Sequence, residues 1–141
     1  VEKLRVLVVD DNESTVTLIS ALLRRDFAID TALDGGEAIR KIQAARYAAV
    51  LLDIRMPEAD GFEVLEFIRQ NQPDLLPRVL VVTAVADDTH LDRASGYGIR
   101  AVVAKPFEID QLLESVRECA GSPGFDTFLA GGMIMLLQMF R

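Results

Sequence analysis

The chain has 141 residues, half of them hydrophobic, which suffices for one domain with its own core and excludes a disordered polypeptide. Its formal charge of −7 excludes a large footprint on a nucleic-acid backbone, so no direct nucleic-acid contact is expected. The single cysteine, Cys119, excludes an internal disulfide and points to a reducing, cytoplasmic setting.

Val1 to Arg5 lead at once into a strand, so no signal peptide is expected. Arg5-Val6-Leu7-Val8-Val9 is an apolar run closed by Asp10-Asp11-Asn12, and apolar residues then recur at Val16, Ile19, Leu22 and Leu23. This is the pattern of a buried strand followed by an amphipathic helix. Asp11 taken alone reads as that helix's N-cap. Ala28 to Leu33 reads as a second strand, and Asp34-Gly35-Gly36-Glu37 as a capping box opening a helix from Ala38 to Arg46. Ala48-Ala49-Val50-Leu51-Leu52 has the length of a strand buried on both faces, and it runs straight into Asp53. Asp60-Gly61 precedes Phe62, Val64, Leu65 and Ile68, a third helix that must stop before Pro73.

Arg78 to Thr83 is a fourth buried strand, ending on a hydroxyl. Asp87 to Tyr97 has the weakest helical pattern, with Leu91 and Ala94 its inward candidates. Ala101 to Ala104 forms a fifth strand closed by Lys105-Pro106, and a helix follows from Glu108 to Ala120 with Ile109, Leu112, Leu113 and Val116 on one face. His90 reads as an isolated exposed histidine. Strands alternating with helices predict an α/β fold, a doubly wound five-stranded parallel sheet with helices on both faces.

A parallel sheet gathers the carboxyl ends of its strands at one edge, where ligands bind. The polar residues at that edge are Asp10, Asp11, Asp53, Thr83 and Lys105. Three carboxylates in one crevice repel, and a hard divalent cation such as Mg2+ relieves the repulsion. An ammonium and a hydroxyl beside them can hold phosphoryl oxygens. The chemistry this set suits is phosphoryl transfer to an aspartate.

These motifs, taken with Leu-Leu-Asp-Ile-Arg-Met-Pro around Asp53, Asp60-Gly61, Thr83-Ala84 and Lys105-Pro106-Phe107, resemble the response-regulator receiver domain of two-component signalling, over residues 4 to about 120. The resemblance implies a flavodoxin-like strand order 2-1-3-4-5 and Asp53 as phosphoacceptor. It also implies that Mg2+ is held by Asp10, Asp11, Asp53 and the carbonyl of Arg55, that Thr83 senses and Lys105 neutralises the phosphoryl group, and that the Lys105-Pro106 peptide is cis. The donor would be a partner histidine kinase or a histidine phosphotransfer protein, as in a phosphorelay. The domain would be no enzyme beyond its own phosphorylation and autodephosphorylation.

Receivers usually carry an aromatic residue three positions before the lysine; here it is Val102, so output is expected to rest on loop and helix displacement. Arg55 and Val85 flank the path of a water attacking an acyl phosphate, and an atypical phosphoryl lifetime is expected. The alternative function is a pseudo-receiver, a phosphorylation-independent protein-binding module of the same fold. The expected domain spans residues 1–120, with a linker at 121–124. In the apolar tail 125–141 the charge-free run Thr127 to Phe140 is too short to span a bilayer comfortably, so no transmembrane segment is expected. It reads as a helix for self-association or partner binding, or as the stub of a downstream region.

Overall fold

The apolar runs are short, rich in β-branched residues and bounded by turns, which suits strands in a buried sheet. A computed structural model describes residues 3–56, 61–84 and 88–121. Its strands are β1 (Arg5–Val9), β2 (Ala28–Ala32), β3 (Ala49–Leu52), β4 (Val79–Thr83) and β5 (Ala101–Ala104). They pair in parallel in the order β2-β1-β3-β4-β5, the doubly wound arrangement expected. Pairing of Val9 with Leu52 brings the ends of β1 and β3 level, while β4, whose Val81 pairs with Leu52, runs two residues further to Thr83. The residues that follow those ends, Asp10 and Asp53, therefore leave the sheet side by side.

Alternate strand residues feed two cores. Leu7, Val9, Val50, Leu52, Val79 and Val81 pack under helices α2 (Gly35–Ala44), α3 (Gly61–Asn71) and α4 (Asp88–Ser95). Val6, Val8, Ala49, Leu51, Leu80 and Val82 pack under α1 (Glu13–Leu23) and α5 (Ile109–Ala120). Every residue of β3 and β4 is buried, whereas Ala101 and Ala104 of the edge strand β5 are exposed. Among the described residues no helix is long and apolar enough to cross a membrane.

Local chemistry sets the helix ends, and it corrects several sequence expectations. Asn12, not Asp11, caps α1: its side-chain oxygen accepts from the Thr15 amide at 3.2 Å. The capping box expected of Asp34 and Glu37 forms in part: the Glu37 amide donates to Asp34 Oδ1, but the Glu37 carboxylate reaches one residue further back and accepts from the Leu33 amide rather than from the amide of the cap residue itself, both at 2.8 Å. Since the cap is Asp34, α2 starts at Gly35, and it stops at Ala44 because Ala45 turns extended. Pro73–Arg78 forms a 3-10 helix, which delays the fourth strand to Val79. Ile109 is 48% exposed, because as the first residue of α5 it lies outside the turns that cover the sheet. Leu22 and Leu91 are half-buried, so Val16, Ile19 and Leu23 carry the α1 stripe and Ala94 anchors α4. The linker and tail proposed from 122 onward lie outside the described residues, as do Asp60, Val85 and the start expected for the fourth helix at Asp87.

Two buried groups give direct tests of this packing. Ser20 on α1 is 3% exposed and its hydroxyl has no hydrogen-bond partner among the described residues. Ser20→Ala removes an unsatisfied polar atom and gains helix propensity, so the urea midpoint should rise by the equivalent of about 1 kcal/mol. Cys119 is buried under the second core, and burial pushes its thiol up to about 12 against the opposing pull of the Arg100 and Arg78 charges. At pH 8, iodoacetamide should therefore label the folded protein at least about 100-fold more slowly than the urea-unfolded chain.

Candidate functional site

The site is assembled by strand ends. Asp10 follows β1, Asp53 follows β3, Thr83 closes β4 and Lys105 follows β5, so four side chains far apart in sequence meet at one sheet edge. Asp10, Asp53 and Thr83 are 3%, 6% and 1% exposed, whereas Asp11 is exposed at the rim. Carboxylates are seldom buried without partners, and both of these have them.

Lys105 supplies the charge. Its Nζ donates to Asp10 Oδ2 at 2.5 Å and to Asp53 Oδ2 at 3.0 Å, bridging the two buried acids. The remaining oxygens are held separately. Asp10 Oδ1 accepts from the Asn12 amide at 2.9 Å, and Asp53 Oδ1 accepts from the Arg55 amide at 2.8 Å and the Thr83 hydroxyl at 3.0 Å. Burial alone would lower the Lys105 pKa, but hydrogen bonds and charge from Asp10 and Asp53 outweigh it and raise it. The ammonium thus stays protonated throughout the neutral range. The Lys105-Pro106 peptide is cis, as the resemblance implied.

The donor set fits a hard cation. One carboxylate oxygen from each of Asp10, Asp11 and Asp53 lies within 4.8 Å of the others, two acids buried and one at the mouth. All are oxygen donors, and each carboxylate oxygen has two lone-pair positions, so the bonds already made leave capacity. Because Asn12 caps α1, the Asp11 side chain is not committed to the helix.

The third helix presses directly on the phosphoacceptor candidate. A Cβ at Gly61 would stand 2.4 Å from Ile54 Cα and 2.8 Å from the Asp53 carbonyl oxygen, so only glycine lets α3 start here. The next residue, Phe62, is buried, and the Arg93 guanidinium carbon of α4 sits 3.9 Å above its ring. His90 is exposed but not isolated: its ring lies 6.0 Å from that of Phe62. Val102 is half-buried against the same core as Tyr97, whose hydroxyl donates to Glu66 at 3.1 Å.

All the candidate residues named from sequence converge: Asp10, Asp11, Asp53, Thr83 and Lys105 share the crevice, and the Arg55 backbone adjoins it. Two contributors went unrecognised. Asn12 orients Asp10 through its amide while capping α1, and the only sequence signal was asparagine just before an amphipathic run. Gly61 stands in the Asp60-Gly61 motif named above, but its closeness to Ile54 depends on how α3 packs and is not readable from that motif.

Comparison with known proteins agrees with this geometry. The model of the response regulator receiver domain family matches residues 6–117. The transcriptional regulatory protein DltR of Streptococcus agalactiae is 34% identical over 117 residues, covering 81% of this chain and 50% of that protein. The hybrid signal transduction histidine kinase L of Dictyostelium discoideum is 31% identical over 121 residues, covering 81% of this chain and 7% of that one. The chain thus spans half or less of these curated relatives. Among solved structures, the response regulator TrrA of Thermotoga maritima, in complex with Mg2+ and BeF, is 34% identical at a TM-score of 0.72, covering 82% of this chain and 97% of that one. With the strand order, the acidic crevice and the extent of the family match in agreement, the chain belongs to the response-regulator receiver domains of two-component signalling.

Proposed function

We propose that this domain accepts a phosphoryl group on Asp53 from a partner histidine kinase or histidine phosphotransfer protein and changes conformation in response. The observation that carries the reading is the ammonium of Lys105 held between Asp10 and Asp53, at 2.5 and 3.0 Å, in a crevice with hard-oxygen donors.

Asp53 Oδ1 is fixed by the Arg55 amide and the Thr83 hydroxyl, which leaves Oδ2 to attack phosphorus. The new bond is Oδ2–P; the P–N bond of the donor's phosphoimidazole breaks, and the imidazole leaves with its electron pair and takes up a proton. Lys105 needs only a small shift to follow the charge from Oδ2 onto a phosphoryl oxygen. Thr83, already at Asp53, can turn its hydroxyl to the same group. Asp10, Asp11, Asp53 and the Arg55 carbonyl would hold Mg2+, which when bound supplies electrostatic stabilisation of the transferring group.

Output follows from what touches the site. Val102 has no aromatic ring to swing, so the displacement is proposed to run through α3 and α4. Gly61 rests on the Asp53–Ile54 backbone, and Phe62 beside it carries Arg93 and His90 of α4. A local change of charge then biases a packed element. The setting is cytoplasmic, and the tail 125–141, which lies outside the described residues, is a candidate for self-association or partner binding, with the stub of a downstream region as the alternative.

Incubation with Mg2+ and acetyl phosphate should add the mass of one phosphoryl group. The gain should vanish in Asp53→Asn and in EDTA. No gain with the wild-type protein would favour the phosphorylation-independent binding module instead.

A further inference from the structure

The opposite edge of the sheet holds a cavity of about 750 Å3 between the starts of β1, β3 and β4 and the end of α5. Five strand residues at roughly 3.3 Å each place it about 16 Å from the acidic crevice. Its lining combines the apolar Leu4, Ala48, Leu75 and Ala120 with Arg5, Arg46 and Arg78. Three guanidiniums in one cavity are unexpected in a chain of net charge −7.

Their existing partners leave capacity for a ligand. Arg5 is paired with Asp30 at 3.1 Å. Arg78, half-buried, donates through Nη1 to the carbonyls of Ala48 at 3.2 Å and Ala120 at 3.0 Å, and among the described residues it has no carboxylate partner. Arg46 is exposed and makes no hydrogen bond or ion pair with any described residue. Asp74 is the one acid on the lining. A half-buried guanidinium without a counterion favours an anion, and the planar fork matches carboxylate and phosphate oxygens. The volume falls within the range of small-molecule sites.

We infer that this cavity is a second binding site, for a small amphipathic oxyanion: a phosphate or carboxylate group held by Arg78 and Arg46, with an apolar or aromatic body against Leu4, Ala48, Leu75 and Ala120. The site is separate from the phosphoacceptor crevice and does not depend on phosphorylation.

The test is a heteronuclear NMR titration of the full chain in EDTA with 1-naphthyl phosphate, 1-naphthoate and inorganic phosphate. The expected result is saturable shifts at Leu4, Ala48, Leu75 and Ala120 with at least one naphthyl compound, at a dissociation constant below about 1 mM. Inorganic phosphate, lacking the body, should bind at least about 10-fold more weakly. Whichever naphthyl compound binds names the oxyanion. Arg46→Gln, which removes no hydrogen bond or ion pair within the described fold, should weaken binding several-fold, and Arg46→Gln with Arg78→Met should abolish it. If the double variant does not fold, Arg46→Gln alone decides. Shifts absent for both naphthyl compounds, equal affinity for inorganic phosphate, or undiminished affinity in Arg46→Gln would overturn the inference.

Discussion

Replacing Lys105 by methionine should slow phosphorylation of Asp53 by acetyl phosphate at least about 100-fold, the scale of losing one preorganised donor to a developing oxyanion charge. Methionine keeps much of the lysine stem's volume, so the loss reports on the ammonium. The same substitution strips two buried carboxylates of their shared counterion. Breaking a buried ion pair from one side costs about 3–5 kcal/mol, and because the Lys105 side chain is 20% exposed the lower end applies. In metal-free buffer the urea midpoint should fall accordingly. An unchanged rate with an unchanged midpoint would show that Lys105 neither supports the transferring group nor balances Asp10 and Asp53.

Gly61→Ala should be the most damaging of the conservative substitutions. Alanine within a helix normally gains about 1 kcal/mol over glycine. Here the added methyl would meet the Ile54 Cα at 2.4 Å and the Asp53 carbonyl at 2.8 Å, both backbone atoms that cannot swing aside. Overpacking of this kind costs about 1–3 kcal/mol or more, which outweighs the propensity gain. Relief requires α3 to lift or the segment after Asp53 to shift, and that segment supplies the Arg55 amide held by Asp53. Both stability and phosphorylation should therefore drop together. Gly36→Ala is the control, since its nearest neighbours are side-chain atoms at 3.3 and 3.5 Å, and it should be neutral or mildly stabilising. Equal thermal midpoints for Gly61→Ala and the wild-type protein would contradict the packing described.

Much of this architecture was legible because it depends on short-range rules. Runs such as Val6–Val9 and Val79–Val82 are strands whichever tertiary partners they find, and Asp10, Asp53, Thr83 and Lys105 each close such a run, so parallel pairing alone gathers them. The remainder depended on competition between neighbours. Asp11 and Asn12 both suit an N-cap, and only the geometry of the turn selected Asn12. Ile109 fits the apolar stripe of α5 but sits a turn too early to be covered. Ser20 lies at the i+4 place of the stripe that Val16, Ile19 and Leu23 define, so its inward position was readable from spacing, but a polar side chain there does not announce burial by its type. The arginine-lined cavity draws Arg5, Arg46 and Arg78 from three separate chain segments, so no contiguous motif marks it.

The central claim is that Asp53, of the three clustered acids, receives the phosphoryl group. Acyl phosphates are reduced by borohydride to the alcohol, so treatment after acetyl phosphate and Mg2+, followed by peptide mass mapping, locates the modified carboxyl. The account predicts homoserine at position 53 and nowhere else. Reduction at Asp10 or Asp11 instead, or a phosphoryl group retained on His90, would contradict it.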